Sequence, residues 1–212
     1  MERDCSSVEL LEDPSLPDEI VAEAYDDLAR VQRLLGNTAA VLKQLRKGDP
    51  FRSVLDIGCG HGALLNLIQK KFNVDVAGID LRPAKNASLE IVTGNAVEDA
   101  LPCADVAIAV CVAHHLSAND LHRMIRNVSN HCKRFIILDL VRHPLPLALF
   151  RTFVRPFLCR INAQDGLTSI RRAYTVREMR EIVNDAVSGT GARVAHRVAP
   201  LYIRQLVDIR WP

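Results

Sequence analysis

The sequence lacks several features that would each indicate a particular class of protein. Its six cysteines form no Cys-x-x-Cys pair and show no spacing typical of a disulfide framework or a zinc site. No stretch approaches the ~18 apolar residues that a membrane-spanning helix needs. The acidic start, Met1–Asp4, is not followed by the apolar segment of a secretory signal. We therefore expect a cytoplasmic protein with reduced thiols and no transmembrane segment.

Runs of charge and internal repeats are absent as well. The net charge is only +2, and the 27 basic residues are spread along the chain instead of forming a cluster. This distribution gives no indication of a nucleic-acid partner. With 212 residues, 49% of them hydrophobic, the chain suits one globular domain with a full core.

The most informative segment is Val54–Gly62, in which an apolar strand ends in an acid and continues into a glycine-rich turn. Because Gly58 and Gly60 carry no side chains, backbone N–H groups can approach a ligand at the N-terminus of the next helix. This arrangement favours a nucleotide-like cofactor. Gly58, Gly60 and Ala63, with Asp80 about 20 residues farther on, also satisfy the dinucleotide pattern. An NAD(P)-dependent oxidoreductase is therefore one alternative.

Two residues favour a different cofactor. Asp56 and Gly62 extend the pattern to Asp-x-Gly-x-Gly-x-Gly, which resembles motif I of the class I S-adenosylmethionine (SAM) methyltransferases. A carboxylate at Asp56 suits a ligand that carries an ammonium and a sulfonium group, whereas it would repel a pyrophosphate. The resemblance extends over residues 50–140 and implies SAM as the cofactor, with S-adenosylhomocysteine (SAH) as the product.

The resemblance also assigns cofactor contacts. It implies that Asp80, at the end of the second predicted strand, binds both ribose hydroxyls, and that Asn95 and Ala96 lie beside the adenine. The predicted cofactor residues are Asp56, Gly58, Cys59, Gly60, Gly62, Asp80, Leu81, Asn95, Ala96 and Cys111. Simpler roles remain open, because Asp80 and Asn95 could be turn residues and Cys59 and Cys111 could be packing residues.

Apolar periodicity predicts an α/β fold. Helix starts are indicated by Ser117 with Asp120 and by a capping box of Thr175 with Glu178. Strands are predicted near 54–57, 74–79, 89–92, 105–112 and 134–140, with a closing hairpin of 192–198 and 202–209. The resemblance implies a three-layer Rossmann-like methyltransferase fold, with a mostly parallel seven-stranded sheet and an antiparallel last strand. The connection Leu81–Ser88 is shorter than the helix usual in relatives, which leaves the adenine contacts less defined.

We divide the chain into an N-terminal part, residues 1–49, and a SAM-dependent methyltransferase domain, residues 50–212. Residues 1–16 are polar and contain prolines, so we expect a loose arm. Helices are predicted at Pro17–Leu35 and Thr38–Leu45. This part could cover the substrate or simply pack on the sheet.

The segment 142–174 is an insertion after the fifth strand and contains half of the six phenylalanines. It lies at the carboxyl edge of the sheet, where open α/β sheets bind ligands, so we interpret it as a lid over an apolar acceptor pocket. Its second half resembles a stretch of small bacterial methyltransferases that modify secondary metabolites. A helix pair covering the sheet, or a weakly membrane-associated helix flanked by Arg151 and Arg155, are the alternatives.

Catalysis needs little acid–base chemistry, because SAM supplies its own leaving group. His114 and His115 follow the fourth strand, where family members often carry a similar His-His-Leu, and His143 follows the fifth. We predict these three as candidate general bases, although histidines there could also cap or pack a strand end. Arg171, Arg172 and Tyr174, together with Asp165, are expected to orient the acceptor or to lock the lid. No Asp/His cluster in the sequence indicates a metal.

The acceptor is narrowed by an absent motif. Enzymes that methylate planar exocyclic amines resemble one another in an Asn-Pro-Pro-Tyr or Asp-Pro-Pro-Tyr element after the fourth strand. This sequence has neither, so the comparison argues against such a target. We therefore expect methyl transfer to a small apolar or aromatic acceptor, most simply at oxygen, by a monomer or homodimer. The alternatives are the oxidoreductase and a methyltransferase-like binding protein that does not catalyse a reaction.

Overall fold

The computed structural model describes residues 1–13, 15–83, 89 and 91–212. The strands are β1 (Ser53–Ile57), β2 (Asp75–Asp80), β3 (Ile91–Thr93), β4 (Ala104–Val110), β5 (Cys132–Asp139), β6 (Arg193–Val198) and β7 (Gln205–Arg210). They form one sheet of order β3-β2-β1-β4-β5-β7-β6. The first five strands are mutually parallel, and β7 is antiparallel to both β5 and β6.

Helices cover both faces of this sheet. They are α1 (Asp18–Leu34), α2 (Asn37–Leu45), α3 (Ala63–Phe72), α4 (Ala118–Ser129), α5 (Pro144–Leu149), α6 (Arg160–Arg172) and α7 (Val176–Ala186). Alternate residues of the central strands belong to different cores, because successive strand side chains point to opposite faces. Phe135 and Ile137 pack with α4 and α7, whereas Ile136 and Leu138 pack with α2 and α3. The predicted three-layer α/β fold with an antiparallel last strand is confirmed.

Local sequence signals predicted the helix starts correctly. The Ser117 side chain accepts a hydrogen bond from the Asp120 N–H, and α4 begins at the next residue. Thr175 and Glu178 form a reciprocal capping box at the start of α7. Strand ends differ from the prediction by up to three residues, as expected where pairing partners rather than propensity set the boundary.

The prediction of a loose N-terminal arm is wrong for residues 1–13, which we call the N-terminal segment. The N–H groups of Leu10 and Leu11 donate to the Asp165 carboxylate in α6, at 2.7 and 2.9 Å. Arg3 donates to the carbonyls of Arg172 and Leu116, at 2.6 and 2.8 Å. These partners lie more than 100 residues away along the chain, so the local polar composition could not reveal them.

The insertion consists of consecutive short helices. After α5 the chain forms a π-helical turn, Phe150–Val154, and a 3-10 turn, Arg155–Phe157, before α6 begins. Phe153 and Phe157 are exposed. Among the described residues, no helix has the length and apolar character needed to cross a membrane. The predicted short connection after β2 falls largely on residues 84–88, outside the described residues.

Candidate active site

The glycine-rich loop joins β1 to α3 at the carboxyl edge of the sheet. Gly58 has a φ of +71°, and a Cβ on it would lie 2.5 Å from Val112 Cγ2, so a glycine is required on both counts. Its N–H donates to the Ile79 carbonyl at 2.8 Å. This bond connects the loop to the end of β2.

Asp80, the last residue of β2, contacts the loop directly. Its Oδ2 accepts a hydrogen bond from the Gly60 N–H at 2.7 Å, and its Oδ1 accepts one from the Arg82 N–H at 2.8 Å. The structure thus brings together the two sequence elements that were predicted to hold the cofactor.

Asp56 lies beneath the loop and is 3% exposed. Burial raises its carboxyl pKa well above the usual value, and the negative charge of Asp80 raises it further. A cationic ligand between these carboxylates would relieve this electrostatic cost, whereas an anionic ligand would add to it. The loop therefore suits a ligand with positive charge.

Helix α1 contributes two residues to the site that the sequence analysis did not identify. The Tyr25 ring lies against Gly60, since a Cβ there would be 3.0 Å from Tyr25 Cε1. Burial, together with Asp80, raises the pKa of Tyr25 to about 12. Gln32, two turns along α1, donates from Nε2 to Cys111 Sγ at 3.2 Å. Their separation of seven residues places both on one helix face, but this spacing alone does not show that the face meets the glycine loop.

Cys111 and Cys59 belong to this region. Cys111 follows β4 with a φ of +57°, an uncommon conformation for a residue other than glycine. Burial raises its thiol pKa to about 12. Burial likewise raises the pKa of the Cys59 thiol. Both thiols are therefore protonated at neutral pH and suit packing or contact with a ligand better than nucleophilic attack.

The other predicted cofactor residues lie on the loops after β2 and β3. Leu81 is 72% exposed. The Asn95 side-chain oxygen accepts a hydrogen bond from the Val97 N–H at 3.0 Å, and the Ala96 carbonyl accepts one from Asn127 Nδ2 at 3.0 Å. Asn95 thus forms the turn that was its alternative role.

The structure brings His114 and His115 together, with ring centroids 4.1 Å apart. His114 is 2% exposed, and its Nδ1 lies 2.7 Å from Asp139 Oδ1. His115 is partly exposed, and its Nδ1 lies 2.5 Å from Glu12 Oε1. Burial alone would lower the pKa of His114, but the carboxylates of Asp139 and Glu9 outweigh it and raise the pKa to about 10. His114 is therefore protonated at neutral pH in this arrangement.

His143 is separate from that pair. Its Nδ1 accepts a hydrogen bond from the Leu145 N–H at 3.2 Å, which caps α5. Its ring stacks on Tyr202, with a centroid separation of 4.5 Å. His143 therefore has a structural contact on each side.

The residues predicted to contact the acceptor form hydrogen bonds with the N-terminal segment and with the turn after β4. Arg172 Nη1 donates to Glu12 Oε1 at 3.0 Å, and the Tyr174 hydroxyl donates to the Leu116 carbonyl at 2.7 Å. Arg171 is exposed, and its carbonyl accepts a hydrogen bond from the Asp4 N–H at 3.2 Å. These contacts connect the end of α6 and the residues after it to the N-terminal segment and to the turn after β4; the roles of orienting the acceptor and locking a lid stay predictions.

The sequence matches a protein family described as methyltransferase domain over residues 28–152, more than half of the chain. The chain belongs to this family. No curated protein matches the sequence. Many solved structures, including the following three, are similar to this methyltransferase in fold. The plantazolicin methyltransferase BpumL, in complex with a monoazolic desmethylPZN analog and SAH, is 13% identical with a TM-score of 0.70, over 92% of this chain and 90% of BpumL.

The second is an O-methyltransferase family protein from Burkholderia thailandensis, 17% identical with a TM-score of 0.64, over 92% of this chain and 60% of that protein. The third is human N-acetylserotonin methyltransferase in complex with SAM, 16% identical with a TM-score of 0.55, over 76% of this chain and 48% of the human protein. At this level of identity the three structures establish a common fold. The predicted family, fold and enzyme class are confirmed, and SAM is the methyl donor that the class implies.

Proposed function

We propose that this methyltransferase transfers the methyl group of SAM to an oxygen atom of a small apolar or aromatic acceptor. The observation that carries the cofactor assignment is the contact between Asp80 and the Gly60 N–H, above the buried Asp56. It places two carboxylates and a glycine loop at the carboxyl edge of the sheet, where a ligand with ribose hydroxyls and a positive charge has partners for both.

Support for the acceptor class comes from the insertion and from α1. A groove of about 800 Å³ lies between them and borders the glycine loop at His61. Phe157 and Leu158 form part of its lining and Asp26 and Arg30 another part. An aromatic acceptor with a polar substituent would find both kinds of contact there. The names of the similar structures, an O-methyltransferase family protein and an N-acetylserotonin methyltransferase, agree with this class.

For the chemical step, the protein has to align the acceptor with the methyl group and exclude water. A phenol or enol also has to lose a proton, which a neutral imidazole within hydrogen-bond reach could accept. His114 is the least suitable of the three histidines because Asp139 and Glu9 hold it in the protonated form. His115 and His143 remain candidates, and changing each singly to alanine tests them by turnover of a phenolic acceptor.

The cofactor assignment can be tested by calorimetric titration of the full chain with SAM, SAH and NADH. We expect saturable binding of SAM and SAH, weakened about tenfold or more by Asp80→Asn, because hydrogen bonds to a charged group contribute roughly 1.5–3 kcal/mol. Asp75→Asn is the matched control, since Asp75 is an exposed carboxylate at the opposite end of the same strand.

Three results would point elsewhere. Binding of NADH without SAM would favour the oxidoreductase. Equal effects of Asp80→Asn and Asp75→Asn would place the ribose at another residue. SAM binding without turnover of any phenolic, enolic or polyketide-like acceptor would favour the binding protein that does not catalyse methyl transfer.

A further inference from the structure

Three side chains from two distant parts of the chain meet at the end of β4. His114 Nε2 lies 3.6 Å from Glu9 Oε1, and His115 Nε2 lies 3.9 Å from Glu9 Oε2. One ligand atom from each of the three residues lies within 4.8 Å of the others. Nε2 of each imidazole thus lies near the Glu9 carboxylate.

Each of these side chains is also oriented by a second group. His114 Nδ1 lies 2.7 Å from Asp139 Oδ1, and His115 Nδ1 lies 2.5 Å from Glu12 Oε1. Ser169 Oγ donates to Glu9 Oε1 at 2.7 Å. In metal sites a histidine ligand typically donates its other ring N–H to a carboxylate or a carbonyl, which fixes the ring and increases its basicity. Both histidines of this cluster have such a partner.

We propose that Glu9, His114 and His115 bind one divalent transition-metal ion of the Zn²⁺ type. Two imidazole nitrogens and one carboxylate form a ligand set found in three-ligand zinc sites. Mg²⁺ and Ca²⁺ instead prefer sites made of oxygen ligands. Bond lengths of about 2.0–2.2 Å place neighbouring ligand atoms roughly 3.0–3.5 Å apart. The two imidazole–carboxylate separations, 3.6 and 3.9 Å to different oxygens of Glu9, lie slightly outside this range, and all three ligand atoms lie within 4.8 Å of one another, so the ligands would have to close around an ion.

Charge also favours a cation at this point. Glu9, Asp139 and Asp165 are each at most 7% exposed, and Glu12 adds a fourth carboxylate beside His115. These four carboxylates outnumber two nearby arginines, Arg172, which pairs with Glu12 and donates to the His115 carbonyl, and Arg3, which donates to the His114 carbonyl. A divalent ion would supply positive charge from one point between the three ligands.

The site would join the N-terminal segment to the sheet. Glu9 belongs to this segment, whereas the two histidines follow β4. Three protein ligands leave at least one coordination position for water or another ligand. Coordination would occupy Nε2 of His115, which leaves His143 as the remaining candidate base. Metal binding itself does not depend on the proposed acceptor.

The test uses the full chain, freed of metal with a chelator, and titrates Co²⁺ alone, followed by competition with Zn²⁺. We expect one equivalent of Co²⁺ with visible d–d absorption of a nitrogen–oxygen site and its displacement by Zn²⁺. Glu9→Gln and His115→Ala should abolish this spectrum. Glu12→Gln should weaken binding about 10- to 100-fold, the effect expected for removing an orienting partner.

His122→Ala is the control, because His122 is a partly exposed histidine of α4 paired with Asp185. It should leave the spectrum and the affinity unchanged. Circular dichroism of each variant separates loss of the site from loss of the fold. Thiolate charge-transfer absorption would assign the metal to cysteines, and Co²⁺ binding that persists in folded Glu9→Gln and His115→Ala would assign it to other ligands. Either result would overturn the proposal. Absence of stoichiometric binding by the unaltered chain would overturn it too.

Discussion

Gly58 and Gly189 have nearly the same backbone conformation, with φ of +71° and +74°, but different surroundings. A Cβ on Gly58 would lie 2.5 Å from Val112 Cγ2, whereas one on Gly189 would meet no atom within 4 Å. Gly189→Ala should therefore cost only the left-handed strain, about 1–2 kcal/mol. Gly58→Ala should cost more and should also weaken SAM binding about tenfold or more.

Urea unfolding gives the free energies of unfolding, and calorimetry gives the SAM affinities. Gly189→Ala serves as the control for backbone strain without steric contact. Equal stability losses in the two variants would mean that Val112 moves aside. Unchanged SAM affinity in Gly58→Ala would mean that the loop does not contact the cofactor closely.

Arg134 and Asp208 form a buried ion pair between β5 and β7. Arg134 Nε donates to Asp208 Oδ1 at 2.8 Å, and Nη2 donates to Oδ2 at 2.9 Å. Removing one partner of such a pair leaves a buried charge, so Arg134→Met should lower the free energy of unfolding by about 3 kcal/mol. Arg177→Met, at the exposed pair with Glu181, should change it far less, because solvent screens an exposed ion pair. Equal losses in urea unfolding would contradict this view.

The same pair predicts how stability depends on acid. Burial raises the pKa of Asp208, but hydrogen bonds from Arg134 and Arg210 outweigh it and leave the pKa below its usual value. A lowered carboxyl pKa in the folded state stabilises the protein above about pH 4 and loses that effect as the pH falls through the folded pKa. Asp208→Asn should therefore make the fall in unfolding free energy between pH 5 and pH 2 less steep. An unchanged slope would assign the acid sensitivity to other carboxyls.

At the scale of elements, the insertion depends on one glycine within α6. A Cβ on Gly166 would lie 2.1 Å from Phe150 Cζ, so the ring packs directly on the helix backbone. Glycine to alanine inside a helix normally stabilises it by about 0.5–1 kcal/mol. Gly166→Ala should instead destabilise the protein by roughly 1–3 kcal/mol, as overpacking does.

Thermal unfolding of Gly166→Ala and of Gly166→Ala/Phe150→Leu separates these effects. The smaller side chain should recover part of the loss, because it leaves room for the added methyl group. If the insertion is a lid, the single variant should also raise KM for the acceptor more than the Kd for SAM. Stabilisation by the single substitution would show that Phe150 is easily displaced.

The side chain of Arg3 helps to hold the N-terminal segment in place. Arg3 donates to three carbonyls, those of Arg172, His114 and Leu116, and its Cζ lies 3.9 Å from the centroid of the Tyr174 ring. Arg3→Ala should therefore increase hydrogen exchange at Leu10 and Leu11 without changing exchange in β1. Arg155→Ala, at an exposed arginine of the insertion, is the control. Unchanged exchange in Arg3→Ala would mean that Asp165 alone retains the segment.

At the scale of the whole molecule, the features that could be predicted from the sequence are those determined by neighbouring residues. The glycine loop and the capping box of Thr175 and Glu178 depend on residues within a few positions, and alternating strands and helices restrict the topology to a few possibilities. The contacts of Glu9 with His114, and of Tyr25 with Gly60, join residues far apart in the chain. A single sequence contains no periodicity that pairs them, so they became visible only in the folded structure.

The position of β7 affects how the sheet can be assembled. β7 follows β6 in the chain, yet it lies between β5 and β6, and in the described sheet β6 pairs with β7. The two strands must therefore add to the sheet as a preformed hairpin, or β7 must dock before β6. Until then β5, the most buried strand, has an unpaired edge that another copy of the chain could occupy. Refolding at high concentration should thus lose protein to aggregation during this interval, and light scattering at different protein concentrations would measure how long it lasts.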